Sequence, residues 1–169
     1  NQILMKKIVF IFFIVFFNSL AFGDTISGKA LVIDGDTIKI NSKKVRLFGI
    51  DAPEKKQKCK KMLLSIYILS FDKSYDCGIL STNKLKNKIK DNIIICKSKG
   101  KDRYKRIIAE CFKDKTNLNS WLVRNGYAVA YLKYSKKYLT AQNLAKKENR
   151  GIWQGKFEMP WDWRKKNKL

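Results

Sequence analysis

Val45-Arg46-Leu47-Phe48-Gly49-Ile50-Asp51-Ala52-Pro53-Glu54 is the stretch on which the reading of this chain turns. Residues 43–50 read as a strand, and Asp51-Ala52-Pro53 ends it in a turn that carries two acids, Asp51 and Glu54. Pro53 fixes the local φ and helps aim both carboxylates from one short segment. Upstream, residues 26–33 alternate weakly and Asp34-Gly35-Asp36 interrupts them as a tight turn. Residues 37–40 resume as a strand, and Asn41-Ser42 turns the chain again. Three short strands at about eight-to-ten-residue spacing predict a meander in a small barrel or sandwich. A hairpin turning at Asn41-Ser42 brings Asp36 to the end where residues 47–51 lie, so Asp36, Asp51 and Glu54 come within reach of one cation. Three carboxylates without His or thiolate form a hard-oxygen set, suited to Ca2+ or Mg2+ rather than zinc. Asp-Gly-Asp alone reads equally well as a plain turn, and the further ligands of an EF-hand loop are absent.

Downstream, residues 55–77 are ambiguous: a lysine cluster, an apolar run from Met62 to Leu69, and a polar stretch to Cys77. Residues 79–89 can form a helix with Ile79, Leu80, Leu85 and Ile89 apolar. The runs 93–96 and 106–111 look like strands of a hairpin turning near Gly100 and Lys101. Asn117 or Asn119 can cap a helix carrying Leu118, Trp121 and Leu122, with Gly126 as its stop signal. Ser135 can cap a further helix that ends before Gly151. The tail from Ile152 to Arg164 carries Trp153, Phe157, Trp161 and Trp163, so it is expected to pack back on the domain. Strands first and helices later predict an α+β fold.

Composition narrows the chemistry. The 169 residues carry 37 Lys and Arg against 14 Asp and Glu, a formal charge of +23, and no His. A Ser-His-Asp triad, a His general base and a His-ligated zinc are excluded. With 45% hydrophobic residues a packed core is feasible. Met5-Lys6-Lys7, the apolar run 8–17 and the small residues Ala21 and Gly23 describe a signal peptide over residues 1–23, with Met5 its expected start. An uncleaved N-terminal anchor is the alternative. Residues 24–169 are then expected to form a single domain, exported to the periplasm or the external medium, monomeric and without stable membrane association once the leader is removed. In an oxidising compartment the four cysteines predict two disulfides, for which three pairings exist. The 93–111 hairpin favours Cys96–Cys111, which leaves Cys59–Cys77.

Only six basic residues are Arg, so their positions inform. Arg46 precedes Asp51 on one strand, and Arg106 closes Asp102-Arg103-Tyr104-Lys105-Arg106 on the later hairpin. Guanidinium forks bind phosphate bidentately, and a hard cation flanked by two of them suits a phosphodiester in a charged transition state. Three ordered segments now resemble the staphylococcal nuclease (thermonuclease) family: Val32-Ile33-Asp34-Gly35-Asp36-Thr37, the 45–54 stretch, and Asp102 to Arg106. Leu118 to Gly126 and Gly151-Ile152-Trp153 extend the likeness, which covers about residues 26–164. The resemblance implies a five-stranded OB-type barrel with about three helices and Ca2+-dependent hydrolysis of DNA and RNA with low sequence specificity. It implies that Asp36, Asp51 and the Ala52 carbonyl hold one Ca2+, that Glu54 acts on a water as general base, and that Arg46 and Arg106 grip the scissile phosphate. Asp34 matches an outer acid behind the metal ligands, and Arg103 and Tyr104 match substrate-binding positions. Two departures touch the groove's rim: Lys105 stands where a small residue is usual, and residues 55–77 follow no familiar pattern. Two other classes stay open on the residues alone. One is a noncatalytic barrel binding single strands, and the other is a cationic membrane-surface protein.

Overall fold

The computed structural model describes residues 24–66 and 69–168. The leader expected over residues 1–23 lies outside the described residues. Strands β1 (Thr25–Val32), β2 (Thr37–Ile40) and β3 (Lys43–Leu47) form the predicted meander. Asn41 and Ser42 both take positive φ, 46° and 66°, which gives the two-residue turn whose twist matches the flanking strands. The register pairs Thr37 with Arg46, and Leu47 N–H donates to the Asp36 carbonyl at 2.8 Å, so Asp36 does arrive beside the end of β3.

The third strand stops earlier than the sequence suggests. After Leu47 the chain turns at Phe48-Gly49, and Ile50–Asp51 forms a separate short strand, β4. Gly49 takes φ +71°, and a Cβ there would meet the Tyr138 ring at 3.1 Å, so only glycine turns comfortably at this point. This break swings Asp51 off the barrel wall. Residues 55–77, ambiguous in sequence, contribute an antiparallel hairpin of β5 (Cys59–Ile66) and β6 (Leu69–Tyr75).

Helix α1 (Cys77–Ile89) begins two residues before the expected start, with Leu85 and Ile89 buried and Ile79 left exposed. β7 (Ile93–Lys101) and β8 (Ile107–Lys113) form the second hairpin, with Cys96 opposite Cys111 as expected. Its turn is not at Gly100, which sits at a register shift within β7; the chain reverses over residues 102–106 instead. Asp102 builds that turn. Its N–H donates to the Arg106 carbonyl, and its side chain accepts from the N–H groups of Tyr104 and Arg106. β1 pairs with β7, and β3 runs parallel to β8, which closes a five-stranded barrel of mixed direction. Ile38, Ile40, Val45, Leu47, Ile94 and the Cys96–Cys111 disulfide fill its core.

A short β9 (Thr116–Asn117) leads into α2 (Leu118–Arg124), capped by the Asn117 side chain accepting from Ser120 N–H. Asn119 is fully buried and satisfied: it accepts from Cys111 N–H and donates to the carbonyls of Phe48 and Ala109, tying the helix to the barrel. β10 (Val129–Ala130) pairs with β4. α3 (Leu139–Lys147) starts four residues beyond Ser135, whose hydroxyl accepts from Lys137 N–H in the preceding turn. The aromatic tail packs back through a 3-10 turn (Gly151–Gln154) and α4 (Pro160–Lys166), so the described residues hold four α-helices, one more than the resemblance implied. Trp153, Phe157, Met159 and Trp161 pack against the Cys59–Cys77 disulfide and Ile152, forming a second, smaller core. No helix among the described residues is long and apolar enough to cross a membrane.

Candidate active site

One open cavity of about 730 Å³ is lined by Asp34, Asp36, Arg46, Glu54, Arg103, Tyr104, Arg106 and Arg164, with the Ile50–Glu54 turn along its wall. Its acids come from two neighbouring strand ends. Asp36 is buried at the start of β2. Its Oδ1 accepts from Thr37 Oγ1 at 2.9 Å and Arg46 Nη1 at 2.6 Å, and its Oδ2 accepts from Ala52 N–H at 2.9 Å. Asp51, on β4, has no exposed side-chain surface, and its Oδ1 accepts from Arg46 Nη2 at 2.6 Å. Arg46 thus bridges the two acids expected to act as metal ligands.

Arg164 completes the arrangement, and the reading of the sequence did not foresee it. From α4 it donates through Nη2 to Asp51 Oδ2 at 2.7 Å, and through Nη1 to Asp51 Oδ1 at 3.1 Å and Glu54 Oε1 at 2.7 Å. Acids and guanidiniums alternate, in the order Asp36, Arg46, Asp51, Arg164, Glu54. Among the described residues no three acidic side chains are gathered as they stand around a single point, because the guanidiniums bridge them. The signal for Arg164 was present in sequence, since it is one of only six arginines in a lysine-rich chain.

The electrostatics follow from burial. Burial pushes the Asp34 carboxyl up to about 6, with the Asp36 charge adding to the rise. Burial also raises Asp51, against the hydrogen bond from Arg164. For Arg46, burial works against the charged form, but Asp36 and Asp51 outweigh it and hold the proton on. Arg164 behaves likewise through Asp51 and Glu54. Arg46 and Arg164 thus keep their charge against burial through the acids they partner.

The second hairpin supplies the opposite wall. Arg106 Nε donates to Asp102 Oδ2 at 2.7 Å, and its terminal nitrogens have no protein partner among the described residues. Partial burial raises the Asp102 carboxyl, but hydrogen bonds from the Arg106 side chain and backbone carry it below the usual range. Arg103 and Arg106 lie over the exposed Tyr104 ring, 4.7 and 5.5 Å from its centroid. Lys105, the departure from the familiar motif, takes φ +62°, the left-handed region that explains why a small residue suits this position.

Behind Glu54 stands Gln57, also unforeseen. Fully buried, it accepts from Glu54 N–H at 3.2 Å and donates through Nε2 to the Glu158 carbonyl at 2.6 Å, joining the acidic turn to the tail. The N-terminus of α1 presses on the same turn so closely that a Cβ on Gly78 would lie 1.7 Å from the Glu54 carbonyl oxygen. The Cys59–Cys77 disulfide pins both segments.

The sequence that builds this site is similar to known proteins. The family described as Staphylococcal nuclease homologue matches residues 44–155. The chain belongs to the staphylococcal nuclease family. Among its relatives is the succinoglycan biosynthesis protein ExoI of Rhizobium meliloti (strain 1021), 36% identical over 138 residues, covering 80% of this chain and 68% of the relative. A protein of Escherichia coli named as an uncharacterized endonuclease is 33% identical over 141 residues, covering 79% of this chain and 80% of its own. A similarly named protein of Haemophilus influenzae is 34% identical over 146 residues, covering 82% and 72%. The family match includes Arg46, Asp51, Glu54 and Arg106 but ends before Arg164. The staphylococcal nuclease barrel thus carries here an arginine from beyond the matched segment, joined to its acids.

Proposed function

We propose that this protein is an exported, Ca2+-dependent nuclease that hydrolyses phosphodiester bonds of DNA or RNA with low sequence specificity. The observation that carries this reading is the convergence of Asp36, Arg46, Glu54 and Arg106 on one open cavity, with Asp51 bonded to Arg46 within its wall. Relatives named as endonucleases support it. A protein that only bound nucleic acid would gain nothing from acids in a phosphate-binding groove, since each repels the ligand unless a cation lies between them. Two disulfides support export, because such bonds persist in oxidising compartments.

The donor set fits a hard cation. Asp36 and Asp51 offer carboxylate oxygens at adjacent strand ends, Ala52 adds a carbonyl, and neither imidazole nor free thiol is at hand. A bound Ca2+ would supply charge neutralisation for the phosphate oxygens. The remaining work falls to this chain's own groups. Arg46 keeps a second hydrogen on each terminal nitrogen and faces the phosphate while holding Asp36 and Asp51 in place. Arg106, anchored through Nε by Asp102, presents its terminal nitrogens to the same phosphate. Glu54 Oε2 has no hydrogen bond among the described residues, and it takes the proton from the attacking water. Asp34 sits behind Asp36, accepting from the Asp36 N–H at 3.1 Å. Arg103 and Tyr104 form an exposed cationic and aromatic rim for the rest of the nucleotide. The lysine-rich surface raises encounter rates without reading sequence.

The test is to incubate the purified chain, freed of its leader, with DNA and with RNA, in Ca2+, in Mg2+ and in excess chelator. Cleavage in Ca2+ that chelator abolishes is the expected result. A protein inert in both cations that still binds single strands tightly is a binding barrel instead.

A further inference from the structure

The guanidinium of Arg164 takes up oxygens that a divalent ion at this site would need. Both oxygens of Asp51 accept from it, at 3.1 and 2.7 Å, and Glu54 Oε1 accepts at 2.7 Å. Asp51 is fully enclosed, so with Arg164 gone its negative charge would rest on Arg46 alone, and Arg46 already serves Asp36. A guanidinium and a metal ion are alternative answers to the same requirement for positive charge.

We propose that Arg164 is an internal counter-cation that shares Asp51 with the divalent ion and lets go of both Asp51 and Glu54 when the ion binds, so that the C-terminal helix sets metal affinity. The proposal rests on the reading of Asp36 and Asp51 as cation ligands. The helix does not depend on this contact for its position. Pro160 is buried at its start, Trp161 stacks on Tyr131 with ring centroids 5.1 Å apart and planes within 5°, and the Glu158 carbonyl is held by Gln57. The exchange is therefore a swing of one side chain on a docked helix. Arg164 has room for it, since its side chain is 25% exposed and lines the cavity beside the Ile50–Glu54 turn. The long arm ends in a planar fork that spans two carboxylates at once, which a lysine ammonium does less well. Arg164 is on this account a positioning residue. It bridges the two acids until the metal takes its place.

The test is calorimetric titration of the whole folded chain with Ca2+ alone, without nucleic acid, for the parent, Arg164→Lys and Arg164→Met, with melting curves in chelator. Ca2+ is expected to bind Arg164→Met at least tenfold more tightly than the parent, with Arg164→Lys between them. The chelated Arg164→Met is expected to melt lower than the parent and to gain more from Ca2+. Unchanged or weaker Ca2+ binding by Arg164→Met overturns the proposal. Equal Kd for Arg164→Lys and the parent also overturns it, because the variant keeps the charge and loses the bridging fork. If Arg164→Met does not fold, Arg164→Lys decides alone: tighter binding supports the exchange, and equal or weaker binding refutes it. A parent that binds no Ca2+ removes the metal reading and this proposal together. A parent that binds Ca2+ with a Kd indifferent to residue 164 removes only the proposal.

Discussion

Arg46 and Arg106 share one proposed role at the phosphate, yet the structure separates what each does for the fold. Arg46 makes two 2.6 Å bonds to Asp36 and Asp51, whose side chains are 5% and 0% exposed. A hydrogen bond to a charged group is worth about 1.5–3 kcal/mol, and a lysine at this position can keep one of the two. Arg46→Lys should therefore cost about 2 kcal/mol. Arg46→Met leaves two buried carboxylates short of a partner and should cost about 3–5 kcal/mol. For a domain of this size each kcal/mol lowers Tm by about 3–5 °C, so losses near 8 °C and beyond 10 °C are expected. Arg106 has one paired nitrogen, on Asp102, in a pair whose side chains are 25% and 15% exposed. Pairs of that exposure contribute about 0–1 kcal/mol, so Arg106→Lys should melt within a few degrees of the parent. Turnover should nonetheless fall by about 10²–10³ in Arg106→Lys, because the fork that receives developing charge is lost. Thermal melts in chelator, paired with cleavage of a long DNA well below every Tm, separate the two effects. Equal melting of Arg46→Lys and the parent refutes the reasoning about buried charge. Parental cleavage by Arg106→Lys refutes the reasoning about the phosphate.

Lys105→Gly should raise stability by about 0.5–1 kcal/mol, as measured by urea unfolding, because residue 105 takes φ +62°. Replacing Cys59 and Cys77 together by Ala should cost about 3 kcal/mol, the loop-closure value for a separation of 18 residues. It should also lower turnover through the Glu54 turn, which parental activity in this variant would contradict. Tyr138 is buried, and burial, aided by Glu110 and opposed by Asn117, pushes its hydroxyl up to about 12. The folded protein thus holds this proton more tightly than the unfolded chain. Its contribution is complete below the ordinary tyrosine value of 10 and is lost as pH rises from there through about 12. Tyr138→Phe should abolish that part of the alkaline loss in melts taken across this range.

Much of the barrel was legible because its signals are local. Asn41-Ser42 announced a tight turn, and strand alternation then forced Asp36 to the end of β3. The Cys96–Cys111 pairing followed from two apolar runs reaching the same register. The errors came where a local cue competed with a longer-range contact. Gly100 looked like the hairpin tip, but the Asp102 side chain built the turn at residues 102–106. The third strand looked continuous, but Gly49 at φ +71° sent the chain to pair with β10.

By itself the sequence determined the chemistry on offer: oxygen donors without imidazole, a few arginines among many lysines, and acids placed at strand ends by turns a few residues long. Tertiary structure alone decided which positive charge meets which acid. Arg164 lies 110 residues from Glu54 and 113 from Asp51, and a lysine-rich tail with four aromatics carries no periodicity that points to them. What brings it there is packing of Met159 and Trp161 against the cluster fastened by Cys59–Cys77, with Pro160 buried at the helix start. Apolar burial is indifferent to sequence distance, and it sets the position from which a guanidinium finds two carboxylates.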